Sequence, residues 1–319
     1  MFELTFLGTS ASAPSIRRGL SAQVISYREQ RFLIDCGEGT QRQILQSGIG
    51  FRRLNRILIT HGHLDHILGL AGLLSTFMRW ETIDRLEIYA GRHAMERIRD
   101  LIHGVVLRGA RPPMELELIP IEPGLLLEEG GLRVTAFPVQ HRSPGCFGFA
   151  FETPSHRPFL PERAEALGLP PGPLRRELVS GRPVVLPDGR TIPPEAVLGP
   201  ERHGARLIHV GDCGSTARLE EVCSGAEALV IESTYLAIEA DLARAFAHLT
   251  AQDAAELALR AGVGHLYLTH LSRRYRTREV LEEAQAIFPA VTVARDFDQF
   301  SISRSEDGAP GSRAQPPAG

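Results

Sequence analysis

The chain has 319 residues, 43% of them hydrophobic and 23% charged; that admits one large domain or two small ones and excludes fibrous and wholly disordered chains. Thirty-five basic residues against 38 acidic ones leave a net charge of -3, without the basic excess of a protein that binds nucleic acid over its whole surface. No apolar run reaches the ~18–20 residues of a membrane span.

Phe2, Leu4 and Phe6 alternate with Glu3 and Thr5 up to Gly8, which predicts a half-buried opening strand. Phe32-Leu33-Ile34 and Ile57-Leu58-Ile59 are short apolar β runs, each opening into a loop rich in Gly, His or Asp. Apolar residues at helical spacing predict helices over Leu64 to Met78 and Arg92 to Leu107. Leu132 to Val139 and Phe147 to Phe151 read as strands, the first announced by the turn signal Gly130-Gly131. Further strands are predicted at Arg206 to Val210, Ala228 to Ile231 and His265 to Thr269. A helix follows Thr250 as far as Arg260, and Thr250 with Asp253 suits a capping box. Strands and helices alternate in both halves, so the class is α/β.

Residues 151–200 break this texture, holding 11 of the 22 prolines. Proline removes a backbone donor and fixes φ, which excludes a central strand or a long helix. A structureless loop of that length sits badly inside a compact domain, so the segment is either disordered or a projecting arm. It carries Arg157, Arg163, Arg175, Arg176, Arg182 and Arg190. The domain reading is a core of 1–150 and 205–303, an insert at 151–204, and a Ser/Gly/Pro-rich disordered tail at 304–319.

The basic residues are all arginine, because the sequence contains no lysine. Any side-chain cation that meets a phosphate is then a planar guanidinium able to make paired hydrogen bonds. The N-terminus, Met1-Phe2-Glu3-Leu4-Thr5, lacks the basic and apolar regions of a secretory leader. Cys36, Cys146, Cys213 and Cys223 form no C-x-x-C pair, which fits reduced thiols and a cytoplasmic location.

The densest chemistry lies in Thr60-His61-Gly62-His63-Leu64-Asp65-His66, at the C-terminal end of a predicted strand. Imidazole and carboxylate together suit zinc. Two metal ions need more ligands than one loop holds, and candidates stand at strand ends downstream. His141 follows Phe137-Pro138-Val139-Gln140, Asp212 follows Leu207-Ile208-His209-Val210-Gly211, and His270 follows Leu266-Tyr267-Leu268-Thr269. A single histidine after a strand is ordinarily a surface residue; three polar residues in one repeated setting, added to the loop, point to a metal site.

The loop His61-Gly62-His63-Leu64-Asp65-His66, followed by His141, Asp212 and His270, resembles the metallo-β-lactamase superfamily. That implies an αββα sandwich with a dinuclear metal site at one edge and the Pro/Gly-rich arm protruding. The chain is more narrowly similar to the tRNase Z (ribonuclease Z) family. The stretches concerned are Phe6-Leu7-Gly8-Thr9-Ser10 with Pro14 and Arg17-Arg18, Gly69 to Leu74, Glu232-Ser233-Thr234, His248-Leu249-Thr250, and Leu268 to Tyr275. In the arm, Leu167 to Leu174 and Asp188-Gly189-Arg190 look like the family's tRNA-gripping exosite.

The resemblance implies that His61, His63 and His141 hold one Zn2+, that Asp65, His66 and His270 hold a second, and that Asp212 bridges them, with Mn2+ as the alternative metal. It implies Asp65 as general base or hydroxide orienter, and Glu232 with His248 as the relay that protonates a departing 3′ oxygen. The implied substrate is precursor tRNA, cut to a tRNA 3′-hydroxyl and a 5′-phosphorylated trailer. Arg175 and Arg176 in the arm, and Arg273 and Arg274 beside His270, are the expected RNA contacts. A homodimer, in which one subunit's arm serves the other's site, is also implied. The rival reading is another hydrolase on the same scaffold, a small-molecule phosphodiesterase or an arylsulfatase-like enzyme, which leaves the arm without a purpose.

Overall fold

The structure is a computed structural model that describes residues 1–80, 83–201 and 203–303 and the backbone of 313–314. In chain order its first strands are β1 (Phe2–Gly8), β2 (Ala22–Tyr27), β3 (Gln30–Ile34), β4 (Arg56–Ile59), β5 (Arg85–Gly91), β6 (Glu115–Ile121), β7 (Gly124–Glu129), β8 (Leu132–Val139) and β9 (Cys146–Glu152). Two short strands follow, β10 (Val184–Val185) and β11 (Thr191–Ile192). The rest are β12 (Arg206–His209), β13 (Ala228–Glu232), β14 (Leu266–Thr269), β15 (Val291–Val293), β16 (Gln299–Ile302) and β17 (Arg313–Ala314). Among the described residues the chain divides into two compact units, Met1–Glu152 with Ala205–Gly319, and Thr153–Gly204.

The larger unit holds two sheets, ordered β17-β16-β1-β2-β3-β4-β5-β6 and β15-β14-β13-β12-β9-β8-β7. Strands β3 to β6 pair in parallel, as do β12 to β15. The inner strands are covered on both faces, which is why Phe32-Leu33-Ile34, Ile57-Leu58-Ile59, Leu229-Val230-Ile231 and Leu266-Tyr267-Leu268 are unbroken apolar runs. The two-residue period decides which side chain goes where. Phe32, Ile34, Leu58, Val230 and Tyr267 join Phe2, Leu4, Phe6, Phe149 and Phe151 in the layer between the sheets. Leu33, Ile57 and Ile59 turn the other way, under Ile44, Leu70, Leu73 and Phe77 of the helices Thr40–Ser47 and Gly69–Trp80. On the second sheet Leu229, Ile231, Leu266 and Leu268 pack under Ala254, Leu257 and Val280 of the helices Ala251–Arg260 and Thr277–Gln285. The result is the expected order helix, sheet, sheet, helix. Each large side chain so buried stabilises the fold by about 1.5–3 kcal/mol, and Phe32 with Phe151 adds an edge-on ring pair across the layer, centroids 5.4 Å apart.

Two predicted helices are interrupted. Leu64 to Met78 is two helices, Leu64–Ile67 and Gly69–Trp80. The joint is tied to the loop after β3: Gly69 N–H donates to Cys36 O at 2.9 Å, and Cys36 N–H donates to His66 O at 2.8 Å. A Cβ on Gly69 would lie 2.0 Å from Gly37 O, so only glycine allows this approach. Arg92 to Leu107 starts as an α-helix, Arg92–Arg99, and continues as a π-helix, Asp100–Leu107. The capping box at Thr250 forms as predicted: its hydroxyl accepts from Asp253 N–H at 3.0 Å, and its own N–H donates to the Asp253 carboxylate at 2.9 Å.

The smaller unit is ordered, which removes the disordered reading of the proline-rich segment. Its helices Pro161–Ala166 and Pro173–Val179 each begin on proline, the position where a missing N–H is harmless. β10 and β11 pair antiparallel. Ala164, Leu169, Leu178, Val184, Leu186, Ile192, Val197 and Leu198 form a hydrophobic core of its own. Strand β9 carries the larger unit as far as Glu152, two residues past the expected boundary at 150. The tail expected at 304–319 lies outside the described residues, apart from Arg313–Ala314, which pairs with β16. Among the described residues no helix is long and apolar enough to cross a membrane, and all four cysteines are free thiols in buried positions.

Candidate metal centre

Each candidate ligand sits just past the C-terminal end of a strand, where open α/β sheets carry their sites. His61 and His63 follow β4, and Asp65 and His66 begin the helix Leu64–Ile67. His141 follows β8, Asp212 follows β12, Glu232 ends β13 and His270 follows β14. His270 adopts the left-handed conformation, φ 55°, uncommon outside glycine and a mark of backbone held to place a side chain.

The seven residues converge. His61 Nε2 lies 2.9 Å from His63 Nδ1, and His141 Nε2 lies 3.4 Å from the same Nδ1. Asp212 Oδ2 stands 3.7 Å from His61 Nε2 and 3.9 Å from His141 Nε2. The other oxygen, Oδ1, is 3.5 Å from His66 Nε2 and 3.4 Å from His270 Nε2. Asp65 Oδ2 completes the second group at 3.7 Å from His66 Nε2 and 3.5 Å from His270 Nε2. Asp212 therefore presents one oxygen to each group of histidines. A third grouping of Asp212, His248 and His270 is equally close, but His248 Nδ1 is bound to Glu232.

Hydrogen bonds on the far side of each ring show which nitrogen is available. Thr60 gives its hydroxyl proton to Asp35 and so accepts one from His61 Nδ1, 3.0 Å away. Thr234 gives its hydroxyl proton to Glu232 and accepts one from His270 Nδ1 at 2.9 Å. His66 Nδ1 donates to Asp35 at 2.7 Å, and His141 Nδ1 donates to Ala247 O at 2.7 Å. Four Nε2 atoms are thereby left with lone pairs facing the Asp212 carboxylate. Those of His66 and His270 are buried without a hydrogen-bond partner among the described residues, an arrangement that costs roughly 1–3 kcal/mol per group unless something else satisfies it. Lone pairs of imidazole and carboxylate turned on one point fit a divalent cation, and the outer hydrogen bonds are the usual support of histidine ligands. The residues present fit two such ions.

The charges agree. Burial and the neighbouring His66, against the opposing pull of Asp212, hold His61 well below the usual histidine range. Burial and adjacent imidazoles likewise keep His63 low, and burial keeps His141 low. Neutral imidazole is the ligating form. Burial works against the Asp65 charge, but the close imidazoles of His270 and His66 prevail and hold the carboxyl well below its ordinary value. Its Oδ2 also accepts Ser12 N–H at 2.9 Å. Burial opposes a charge on His248 too, yet Glu232, 2.8 Å from its Nδ1, raises it to about 9. Glu232 Oε1 additionally accepts Cys213 N–H at 2.7 Å.

Sequence reasoning passed over the outer layer: Asp35, Thr60, Thr234, Ser12 N–H and Ala247 O. Thr60 and Thr234 lie in stretches the sequence singles out, and Asp35 carries a signal of its own, since it follows the apolar run Phe32-Leu33-Ile34 in the same setting as His141, Asp212 and His270. The four arginines expected to meet RNA divide. Arg274 is paired with Glu239 at 3.0 Å. Arg175 donates to Leu169 O at 2.7 Å and lies over the Phe159 ring, so it serves the smaller unit's own structure. The side chains of Arg176 and Arg273 make no ion pair among the described residues.

Residues 30–160 match the family model of the beta-lactamase superfamily domain. A ribonuclease Z from Bradyrhizobium diazoefficiens is 47% identical over 302 residues, covering 95% of this chain and all of the relative. A ribonuclease Z from Archaeoglobus fulgidus is 36% identical, covering 96% of this chain and 99% of the relative. Among solved structures, the short form of human tRNase Z superposes with a TM-score of 0.66 at 26% identity, covering 95% of this chain and all of the human one.

Proposed function

Because the chain belongs to the ribonuclease Z family, within the metallo-β-lactamase superfamily, we propose that it is a metal-dependent endoribonuclease that removes the 3′ trailer from tRNA precursors. The observation that carries the reading is Asp212 set between two histidine groups, one oxygen to each, with the Glu232–His248 pair alongside.

His61, His63 and His141 would hold one cation, Asp65, His66 and His270 a second, with Asp212 shared between the two groups. The predominance of imidazole favours zinc, with manganese as the alternative. Two such ions supply Lewis acidity for a phosphoryl oxygen and a nucleophile from water near neutral pH. Asp65, kept ionised and anchored by Ser12 N–H, orients the attacking water and takes its proton. Glu232 holds His248 by Nδ1, which leaves Nε2 to donate and keeps the ring protonated at neutral pH. That ring is the general acid for the departing 3′ oxygen. The products are a tRNA 3′-hydroxyl and a 5′-phosphorylated trailer. The smaller unit is the tRNA-gripping exosite, acting through backbone phosphates and shape, and two copies of the chain form the working dimer.

End-mapping of a precursor tRNA digest tests the reading. Cleavage at the trailer junction is expected, abolished by chelator and restored by zinc, and His61→Ala is expected to lose it by at least ~100-fold. Full activity of His61→Ala in metal-replete buffer overturns the site.

A further inference from the structure

One aromatic ring near the metal centre has no place in the hydrophobic core. Phe246 ends the helix Ala240–Phe246, whose buried residue is Ala243. It belongs to none of the core clusters and is 39% exposed. The Arg142 guanidinium lies over its face, 5.3 Å from the ring centroid. Arg142 is itself exposed and makes no hydrogen bond or ion pair among the described residues.

Both residues are anchored to the site by their neighbours. Arg142 directly follows the ligand His141. Phe246 directly precedes Ala247, whose carbonyl accepts His141 Nδ1–H at 2.7 Å. Ala247 is left-handed, φ 53°, and this turn separates the ring from His248 by a single residue. Arginine and ring are therefore tied to the His141 side of the centre and to the general acid.

A guanidinium stacked on a phenyl ring, with its other face and its N–H edges unengaged, is a surface on which an unpaired base can lie. Apolar packing does not require the arrangement, since a phenyl ring at this exposure buries only part of its area. Resting on the ribonuclease reading above, we propose that Arg142 and Phe246 form a stacking platform for the nucleobase of one of the two nucleotides that flank the scissile phosphate. The platform orients the single-stranded junction over the metal centre; it takes no part in the chemistry.

The test pairs variants with altered substrates. Phe246→Leu and Arg142→Gln are assayed on precursor tRNA, on the same RNA lacking the base at either flanking position, and on bis(p-nitrophenyl) phosphate. On intact RNA both variants are expected to lose kcat/KM by on the order of 10- to 100-fold, mainly through KM, with Phe246→Tyr restoring it. At one of the two abasic positions wild type and variants should cleave alike, because the base the platform holds is already gone. Hydrolysis of the small diester should stay within about twofold of wild type. Equal losses by the variants on intact and both abasic RNAs overturn the platform, as does a parallel fall on the small diester, which marks a structural role. Absence of precursor cleavage by the wild type, with the small diester still hydrolysed, refutes the ribonuclease reading itself and the platform with it.

Discussion

Asp35 touches no candidate cation position, yet it fixes two residues that do. Its carboxylate accepts His66 Nδ1–H, and it accepts both the N–H and the hydroxyl of Thr60, which in turn receives His61 Nδ1–H. Its own backbone is left-handed, φ 57°, so the main chain is bent to aim it. Asp35→Asn keeps the shape but removes the charge that favours a proton on His66 Nδ1. Metal affinity should fall by about 10- to 100-fold, read by chelator competition, with little change in melting temperature; unaltered affinity would place Asp35 outside the site's support. His209 is a second buried residue with a measurable signature. Its Nε2 is 2.9 Å from Gln23 Oε1, joining β12 of one sheet to β2 of the other. Burial lowers it to about 4, only partly opposed by Asp35. The unfolded side chain titrates near 6.5. Between those values the unfolded chain binds a proton that the folded chain refuses, so stability is whole above pH 6.5 and falls as the pH drops. The loss should reach about 2 kcal/mol at pH 5, measured by urea unfolding, and His209→Gln should flatten that limb. An identical acid limb in the variant would show that other groups govern it. These two residues also mark where reading the chain stops. His61, His63 and His66 are legible because one short loop holds all three. Nothing local tells that Asp35, 31 positions before His66, is its partner, or that Glu239 takes Arg274.

Among the elements, the pair of helices carrying Asp65 and His66 shows tertiary contact overriding a helical pattern. Leu64 to Met78 has continuous apolar spacing, and the spacing is honoured on both sides of Leu68. What interrupts it is the loop after β3, pressed against Gly69 closely enough that two reciprocal backbone hydrogen bonds form. A pattern of side chains carries no information about a neighbour 30 residues away, so the break is invisible in sequence, whereas the capping box at Thr250 involves only residues 250 to 253 and is visible. Gly69→Ala drives a methyl into Gly37 O. The loop and helix must separate, and since His66 O accepts from Cys36 N–H in the same contact, His66 moves with them. Overpacking of this sort destabilises by roughly 1–3 kcal/mol, a fall in melting temperature of about 1–5 °C for a chain of this size. Calorimetry showing an unchanged transition would mean the joint is softer than its hydrogen bonds indicate.

For the whole molecule, the division of labour between the two units is open to a single experiment, because the larger one does not need the smaller to complete its sheets. β9 and β12 are already antiparallel neighbours, with Glu152 opposite Arg206 and the Arg206 guanidinium bound to the Glu152 carboxylate at 2.6 Å. The ends of the smaller unit meet as well, since a Cβ on Gly204 would fall 1.7 Å from Thr153 O. Residues 153–204 can therefore be replaced by a short Asn-Gly turn that closes a plain hairpin. The three core clusters of the larger unit and all seven candidate ligands lie outside the replaced segment. The shortened protein should fold, bind metal as the full chain does and hydrolyse bis(p-nitrophenyl) phosphate within about twofold of it. With a net charge of -3 over the full chain, there is no general field to hold RNA once a local binding surface is gone. Cleavage of precursor tRNA should then fall by on the order of 100-fold or more, as expected when one of two linked contacts is lost. Retained precursor cleavage would assign the RNA grip to the larger unit, and loss of both activities with the metal would show that the insert supports the fold.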